Sequence, residues 1–198
     1  MTGKRALLVT DVQRDFCPGG SLLVPGGDTI AGRLSRYLAD HAGDYRLVVA
    51  TRDWHIDPSE HFAPPGTEPD FVDTWPAHCV AGTPGAEYHP ALRLPAGVVE
   101  VIKGEHQAAY SGFEGHDAGG TSLLAILRDA DIEEIDVAGL AESHCVRDSA
   151  VDAAGAGFAT TVLIELTAGV SPETTDAARR QMTSAGVRRR SIQGLLAG

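Results

Sequence analysis

The amino-acid sequence predicts a three-layer α/β domain with a six-stranded, mainly parallel sheet. Six short runs rich in Val, Ile and Leu recur along the 198 residues with little polar alternation, which is typical of parallel strands covered on both faces. Helical patterns lie between these runs, and such alternation favours right-handed crossovers. The sequence contains no internal repeat, linker or low-complexity segment. We therefore expect a single domain over residues 1–198.

The strands and helices are expected in regular order along the chain. The predicted strands cover residues 5–11, 45–52, 98–103, 133–139, 159–166 and 187–192. The predicted helices cover residues 29–41, 122–131, 143–157 and 172–185. The last helix has the clearest start, since Ser171 suits the capping position, Pro172 the first helical position and Glu173 the first turn. The basic run at 188–190 is expected on a solvent-facing strand.

One connection, at about 54–97, is much longer than an ordinary loop. It is rich in Pro and Gly, yet it contains both tryptophans and four of the eight histidines. Long connections in compact domains are usually functional or disordered, and this composition does not suit disorder. We therefore predict an ordered insertion that helps to build a site.

The composition argues against several classes of protein. The formal net charge of −11 disfavours binding to a phosphate backbone, so we expect no nucleic-acid partner. No apolar run is long enough to cross a membrane, and the short run at 6–9 does not resemble a signal peptide. Three cysteines without regular spacing favour a reducing cytoplasm over a disulfide framework. We expect a cytoplasmic monomer or small homo-oligomer that binds a small molecule.

Four consecutive strand ends carry chemically capable side chains. Asp11 ends the first predicted strand, Asp53 follows the second and Lys103 ends the third. Cys145 lies just after the fourth, in the first turn of the next helix. Because ligands of open α/β sheets bind outside the carboxyl ends of the strands, these residues indicate one crevice.

Cys145 is the predicted nucleophile of this crevice. Unpaired amides at a helix start favour a thiolate and can also bind an oxyanion. Asp11 is the candidate for proton transfer, and Lys103 for electrostatic support of the thiolate. His144 adjoins Cys145 but faces elsewhere on a helix. Two alternatives remain: Cys145 only packs the strand–helix junction, or Asp11 and Lys103 only form an ion pair.

A second group of side chains has the composition of a metal site. Asp53 and His55 lie two residues apart at a strand end and project to the same side. His61 and His78 come from the long insertion, which can fold back over them. Three imidazoles and one carboxylate suit a divalent first-row metal. The alternative is that these histidines cap turns or face water.

Six short motifs carry a family resemblance. They are DVQRDF at 11–16, TRDWH at 51–55, WPAHC at 75–79, KG at 103–104, YSGF at 110–113 and SHCV at 143–146. Together they resemble the nicotinamidase/pyrazinamidase family of isochorismatase-like cysteine hydrolases. The match runs in order over nearly the whole chain. It implies the isochorismatase-like hydrolase fold and hydrolysis of nicotinamide to nicotinate and ammonia, a step of NAD salvage, with pyrazinamide as a further substrate.

The resemblance also implies roles for individual residues. Asp11, Lys103 and Cys145 match the catalytic triad of the family. The residues that match the ligands of iron, manganese or zinc are Asp53, His55, His61 and His78. A cis peptide bond before Ala141 is implied, with the amides of Ala141 and Cys145 as the oxyanion hole.

The aromatic pocket of the family is matched by four side chains. They are Phe16, Trp75, Tyr110 and His144. Stacking of a flat ring between aromatic groups contributes about 0.5–1.5 kcal/mol beyond burial. Core packing is the alternative, above all for Phe16. Residues 105–107 and 142–143 depart from the family pattern, and we expect these changes to border the pocket and affect substrate preference.

Two other functions are compatible with the residues. One is another amidase of the same superfamily, acting on a carbamoyl or ureido compound with the same triad. The other is a non-catalytic protein that binds a pyridine or a metal. The Asp-His-His-His group argues against the first, and the complete set of Asp11, Lys103 and Cys145 argues against the second. A papain-like peptidase is less compatible, because no histidine is suitably placed for Cys145.

Overall fold

The computed structural model describes residues 3–195 as a central sheet covered by helices. The strands are β1 (Arg5–Thr10), β2 (Leu47–Asp53), β3 (Val99–Lys103), β4 (Glu134–Leu140), β5 (Ala159–Ala168) and β6 (Arg188–Arg190). The α-helices are α1 (Gly27–His41), α2 (Leu123–Asp129), α3 (Cys145–Gly155) and α4 (Pro172–Ser184). Every predicted boundary lies within two residues of the observed one, so the predicted fold class is confirmed.

The order of the strands places a topological switch at the middle of the sheet. The order is β3-β2-β1-β4-β5-β6, and every pair is parallel, whereas the sequence predicted a mainly parallel sheet. The chain moves outward in one direction from β1 and in the other from β4, so a crevice opens between their carboxyl ends. The two strands approach closely there, since a Cβ on Gly139 would lie 2.1 Å from the carbonyl oxygen of Thr10.

Each face of the sheet has its own apolar core. On one face, Leu34 and Leu38 of α1 pack with Leu7 and Val9 of β1. The opposite core includes residues of α2, α3 and α4, among them Leu127, Val146 and Met182. Strand residues therefore alternate between two buried faces, which explains the continuous apolar runs in the sequence.

The long insertion at 54–97 is folded against the α1 face. Its Cys79, Ala86 and Leu92 belong to the apolar core of that face. Short 3-10 turns at Ser59–His61 and Pro84–Ala86 and isolated bridges such as His55 to Val80 provide its only regular hydrogen bonding among the described residues. The prediction that this segment is ordered is confirmed.

The ends of the elements follow local chemistry. Ser171 caps α4 by accepting a hydrogen bond from the amide of Thr174 at 3.2 Å, and Pro172 occupies the first position, as predicted. The three residues of β6 are exposed arginines at the edge of the sheet, where charge discourages pairing with another strand. None of the helices within residues 3–195 combines the length and apolar character that a membrane crossing needs.

Candidate active site and metal centre

The carboxyl ends of the strands bring four predicted residues into one crevice. Asp11 directly follows β1, Asp53 ends β2 and Lys103 ends β3. Cys145 is the first residue of α3, which follows β4. A carboxylate oxygen of Asp11, one of Asp53 and the Sγ of Cys145 lie within 4.8 Å of one another. Asp11 adopts a left-handed backbone conformation with φ 47°, a strained geometry that recurs at functional sites.

Lys103 is the central cation of the crevice. Its side chain is 0% exposed, and its Nζ lies 3.0 Å from Asp11 Oδ2 and 2.5 Å from Asp53 Oδ1. The ammonium also donates to the carbonyl oxygen of Ala109 at 2.9 Å and approaches Cys145 Sγ at 3.8 Å. Burial alone would lower the pKa of Lys103, but the charges of Asp11 and Asp53 hold it well above the ordinary value. Lys103 therefore stays cationic beside the thiol.

Asp11 has one oxygen engaged and one available. Its Oδ1 accepts a hydrogen bond from Thr51 Oγ1 at 2.6 Å. Its Oδ2 lies near Lys103 but has no aligned hydrogen-bond donor among residues 3–195. Burial raises the pKa of Asp11, the charge of Lys103 opposes this, and the charge of Asp53 adds to it. A buried carboxylate oxygen beside a thiol is suited to accept its proton.

Cys145 differs from expectation in one respect. Burial is the largest influence and raises the pKa of its thiol well above the ordinary value; the charge of Lys103 opposes this, and the charges of Asp11 and Asp53 add to it. Burial therefore opposes the thiolate that the helix start is expected to favour. A thiol with a raised pKa needs a base to remove its proton before it acts as a nucleophile, and Asp11 is a carboxylate beside it.

The turn between β4 and α3 presents two free amides to the crevice. The peptide bond between Leu140 and Ala141 is cis, as the family resemblance implied. Among the described residues, the amides of Ala141 and Cys145 donate to no protein acceptor. Two such amides beside a nucleophile have the composition of an oxyanion hole.

Three imidazoles form a compact cluster, and two of them line the same cavity as Cys145. One ring nitrogen from each of His55, His61 and His78 lies within 4.8 Å of the others. His55 Nε2 is also 3.7 Å from Asp53 Oδ2, the oxygen that does not face Lys103. The buried His55 Nε2 and His61 Nδ1 have no hydrogen-bond partner in the described chain. Buried ring nitrogens without a hydrogen-bond partner, next to a carboxylate, are suitable metal ligands. These residues therefore fit the divalent metal that the family resemblance implies.

The imidazoles are held in a form that can bind a metal. Nδ1 of His55 is 2.6 Å from the carbonyl oxygen of Gly104, and Nδ1 of His78 is 2.7 Å from that of Pro76. These contacts fix Nδ1 as the protonated nitrogen and leave Nε2 with a lone pair. Burial lowers the pKa of His61 to about 4 and also lowers that of His78, which favours neutral rings.

Gln13 supports the site through the backbone of Asp53. Its Nε2 donates to the carbonyl oxygens of Asp53 at 2.8 Å and Ala86 at 2.9 Å. Its Oε1 accepts from the amide of Asp53 at 2.8 Å. Sequence reasoning could not single out this residue within its motif, because its role consists of contacts to distant backbone atoms.

An aromatic cavity opens beside Cys145. The four predicted pocket residues Phe16, Trp75, Tyr110 and His144 all line it. Trp75 Nε1 donates to the hydroxyl of Tyr110 at 2.9 Å, and the Trp75 ring meets His144 edge-on with centroids 5.5 Å apart. The lining residues that sequence reasoning missed are Leu22, Val24, Ala109 and Val170. These apolar residues lie outside the helices and strands, so no periodicity marks them.

The departures from the family pattern do not line this cavity. Glu142 points to Arg179 of α4, whose Nε donates to its Oε1 at 2.8 Å. Glu105 lies 2.9 Å from the ring of His116, and His106 is exposed. The expectation that these side chains border the pocket is therefore wrong for Glu142, Glu105 and His106, which ion pairing and solvation draw outward, whereas Ser143 contacts the lining residue His144.

The remaining cysteines are packing residues. Cys17 and Cys79 are buried free thiols in the apolar core on the α1 face. Burial raises the pKa of Cys17 to about 11 and that of Cys79 well above the ordinary value. Neither lies among the residues that line the cavity.

Known proteins resemble this chain over almost its whole length. Residues 5–193 match the family described as Isochorismatase domain. A nicotinamidase/pyrazinamidase of Mycobacterium tuberculosis is 54% identical over 183 residues, which cover 92% of this chain and 96% of that protein. The pyrazinamidase of Pyrococcus horikoshii, solved in complex with zinc, is 38% identical with a TM-score of 0.83, covering 96% of this chain and 99% of the other.

A third similarity extends to a structure with a bound pyridine. The PnC1 protein of L. infantum, solved in complex with nicotinate, is 30% identical with a TM-score of 0.77, and the match covers 96% of this chain and 94% of the other. The resemblance drawn from the motifs is confirmed by these similarities. The chain belongs to the isochorismatase family and, within it, to the group of nicotinamidases and pyrazinamidases.

Proposed function

We propose that this protein hydrolyses nicotinamide to nicotinate and ammonia, and that it accepts pyrazinamide in the same way. The observation that carries the proposal is the position of Cys145 Sγ, which lies at the wall of an aromatic cavity and beside Asp11, Lys103 and a cluster of imidazoles. Such a cavity suits a flat heteroaromatic ring. The proteins similar to this chain include a nicotinamidase/pyrazinamidase and a pyrazinamidase, so the residues of the site and the family point to the same reaction.

The reaction begins with proton transfer from the thiol. Asp11 Oδ2 accepts the proton of Cys145, and the sulfur attacks the carboxamide carbon to form a C–S bond. The negative charge that develops on the carboxamide oxygen is held by the amides of Ala141 and Cys145. Lys103 offsets the charge of the neighbouring carboxylates and stabilises the sulfur as it becomes anionic.

The second half of the reaction returns the site to its starting state. Asp11 gives its proton to the leaving nitrogen, the C–N bond breaks, and ammonia departs from a thioester. Asp11 then takes a proton from water, whose oxygen attacks the thioester carbon. Nicotinate leaves as the C–S bond breaks, and the proton returns to Cys145. A covalent intermediate divides one difficult step into two easier ones.

The imidazole cluster, together with Asp53, is the metal site that we propose. Asp53, His55, His61 and His78 would hold one divalent ion, with zinc, iron and manganese compatible with three nitrogen donors and one carboxylate. When bound, the ion supplies a Lewis acid that can orient a pyridine ring nitrogen. We take the insertion at about 54–97 as the metal-binding part of a single domain over residues 1–198. The three free thiols support the predicted cytoplasmic location.

A substrate comparison tests the proposal. Purified protein with measured metal content is assayed for ammonia release from nicotinamide, pyrazinamide, a carbamoyl amino acid and a ureido acid. We expect the highest kcat/KM for the two heteroaromatic amides, because the aromatic lining of the cavity suits a flat ring. Faster turnover of a carbamoyl or ureido compound would identify the other type of amidase. Binding of nicotinamide without ammonia release would indicate a non-catalytic protein.

A further inference from the structure

The turn that carries the proposed oxyanion amides is anchored from the last third of the chain. Glu142 immediately follows Ala141, yet its side chain turns away from the cavity and is 2% exposed. Its carboxylate receives a two-pronged contact from Arg179 of α4, with Nε at 2.8 Å from Oε1 and Nη2 at 3.0 Å from Oε2. Thr167 of β5 donates to the same Oε2 at 3.3 Å.

A buried carboxylate needs such partners. An unpaired charge in a protein interior is strongly destabilising, and a forked guanidinium fixes a carboxylate in direction as well as in position. Arg189 of β6 adds a second positive charge, with Nε at 3.8 Å from Glu142 Oε1. The direction of Glu142 is therefore determined by α4 and β6, neither of which lines the cavity.

Two further contacts hold the same turn to the residues at the end of β5. The amide of Glu142 donates to the carbonyl oxygen of Ala168 at 2.8 Å. Ser143 Oγ accepts from the amide of Val170 at 3.2 Å and lies 2.9 Å from Nδ1 of His144, a wall of the cavity. Two residues between Ala141 and Cys145 are thus fixed, while the amides of Ala141 and Cys145 donate to no acceptor in the described chain.

We propose that Glu142 and Arg179 are positioning residues for amide hydrolysis, which fix the amide of Ala141 where the oxyanion develops. This inference rests on the proposed function. An oxyanion hole is effective only when its donors are already aligned, and a displacement of about 1 Å can cost on the order of 100-fold in rate. The pair acts on the transition state and not on the aromatic cavity that binds the ring.

Conservative variants test the positioning role. Glu142→Gln keeps the volume but removes the charge, and Arg179→Lys keeps the charge but removes the fork. We expect kcat to fall by about 10- to 100-fold in Glu142→Gln, with a smaller loss in Arg179→Lys and little change in KM. The control is Glu134→Gln, because Glu134 also accepts two hydrogen bonds from an arginine, both on its Oε2 from Arg5, but lies at the opposite end of the sheet. That control keeps the native kcat.

Two ligands distinguish a positioning role of Glu142 from a general loss of stability. Pyridine-3-carboxaldehyde adds to the thiol of Cys145 and forms a tetrahedral adduct whose oxygen occupies the oxyanion position. Nicotinate binds the same cavity without forming that adduct. In Glu142→Gln, affinity for the aldehyde should fall by the same factor as kcat, while affinity for nicotinate is retained. Equal losses for both ligands, or a native kcat in both variants, would overturn the proposal.

Amide hydrogen exchange distinguishes this inference from the proposed function. If the native protein releases no ammonia from nicotinamide, the proposed function is wrong, but the anchor can still be measured. Faster exchange over residues 140–145 in Glu142→Gln than in Glu134→Gln supports the anchor. Equal exchange in the two variants contradicts it, whatever the outcome of the amidase assay.

Discussion

At the scale of single residues, the orientation of His55 depends on Gly104. The glycine has a φ of +76°, and its carbonyl oxygen fixes the His55 ring at Nδ1. A Cβ at this position would lie 2.7 Å from His55 Cε1. The ring and a side chain cannot both occupy this space, so glycine is required beside the proposed metal site.

Gly104→Ala should therefore weaken metal binding. The methyl group pushes the His55 ring away from His61 and His78, and we expect metal affinity to fall by about 10- to 100-fold. Isothermal titration of the metal-free protein with zinc measures the change. The control is Gly97→Ala, since Gly97 has a similar φ of +80° but no heavy atom within 4 Å of the added Cβ. An equal loss in the control would mean that backbone strain, and not the clash with His55, causes the effect.

The limits of sequence reasoning are clearest at this scale. Asp11, Lys103 and Cys145 could be predicted because strand ends of a parallel sheet meet at one edge, and the structure brings them together. The pairing of Lys103 with both Asp11 and Asp53 could not be predicted, since it depends on where the second carboxylate lies in space. The direction of Glu142 was also unpredictable, because its partner Arg179 lies 37 residues further along the chain.

At the scale of elements, a small turn at 70–74 supports the wall of the cavity. Asp70 Oδ1 accepts from the amides of Val72, Asp73 and Thr74 at 2.8–2.9 Å. The turn leads directly into Trp75, whose ring also meets Phe71 edge-on with centroids 6.1 Å apart. The conformation of this turn therefore influences the position of the indole.

Asp70→Ala should loosen the turn and raise KM for nicotinamide more than it lowers kcat. The backbone hydrogen bonds, that of Thr74 first, lower the pKa of Asp70 from 3.8 to about 2. The ionised carboxylate thus supports the turn fully above pH 3.8, and this support is lost as the pH falls towards about 2. Steady-state kinetics and hydrogen exchange over 70–74 check the prediction at pH 7. Asp73→Ala is the control, and an unchanged KM in Asp70→Ala would contradict the prediction.

The strands and helices were predictable because both cores are built from continuous apolar runs. The conformation of the insertion could not be predicted, since it is held by contacts that follow no sequence periodicity. The bridge between Phe62 and Trp75 and the burial of Cys79 under the α1 face are examples. Composition alone was enough to predict that this segment is ordered.

At the scale of the whole molecule, the switch between β1 and β4 joins two halves of a reactive site. Asp53 and Lys103 come from the side of β2 and β3, and Cys145 comes from the side of β4. The imidazole cluster belongs to the insertion that follows β2, so it lies with the first half of the site. Because the two apolar cores do not depend on the cluster, we expect the protein to remain folded without metal.

Removal of the metal should lower the Tm without unfolding the protein at 25 °C. A ligand that binds only the folded state stabilises it by about 2.7 kcal/mol at 100 times its Kd. Thermal unfolding is followed with a chelator and again after zinc is restored. His61→Ala should lose this response, whereas His106→Ala, which changes an exposed histidine, should keep it. A chelator response that is unchanged in His61→Ala would rule out this cluster as the metal site.

Ammonia release from nicotinamide by the native protein and by Cys145→Ala, at matched metal content, tests the central claim most directly. We expect rapid release by the native protein and a loss on the order of 1,000-fold or more in the variant, because the thioester cannot form. Cys17→Ala, which changes a buried thiol of the core, should keep native turnover per folded molecule. Near-native release by Cys145→Ala would contradict the account, since amide hydrolysis would then proceed without the proposed nucleophile.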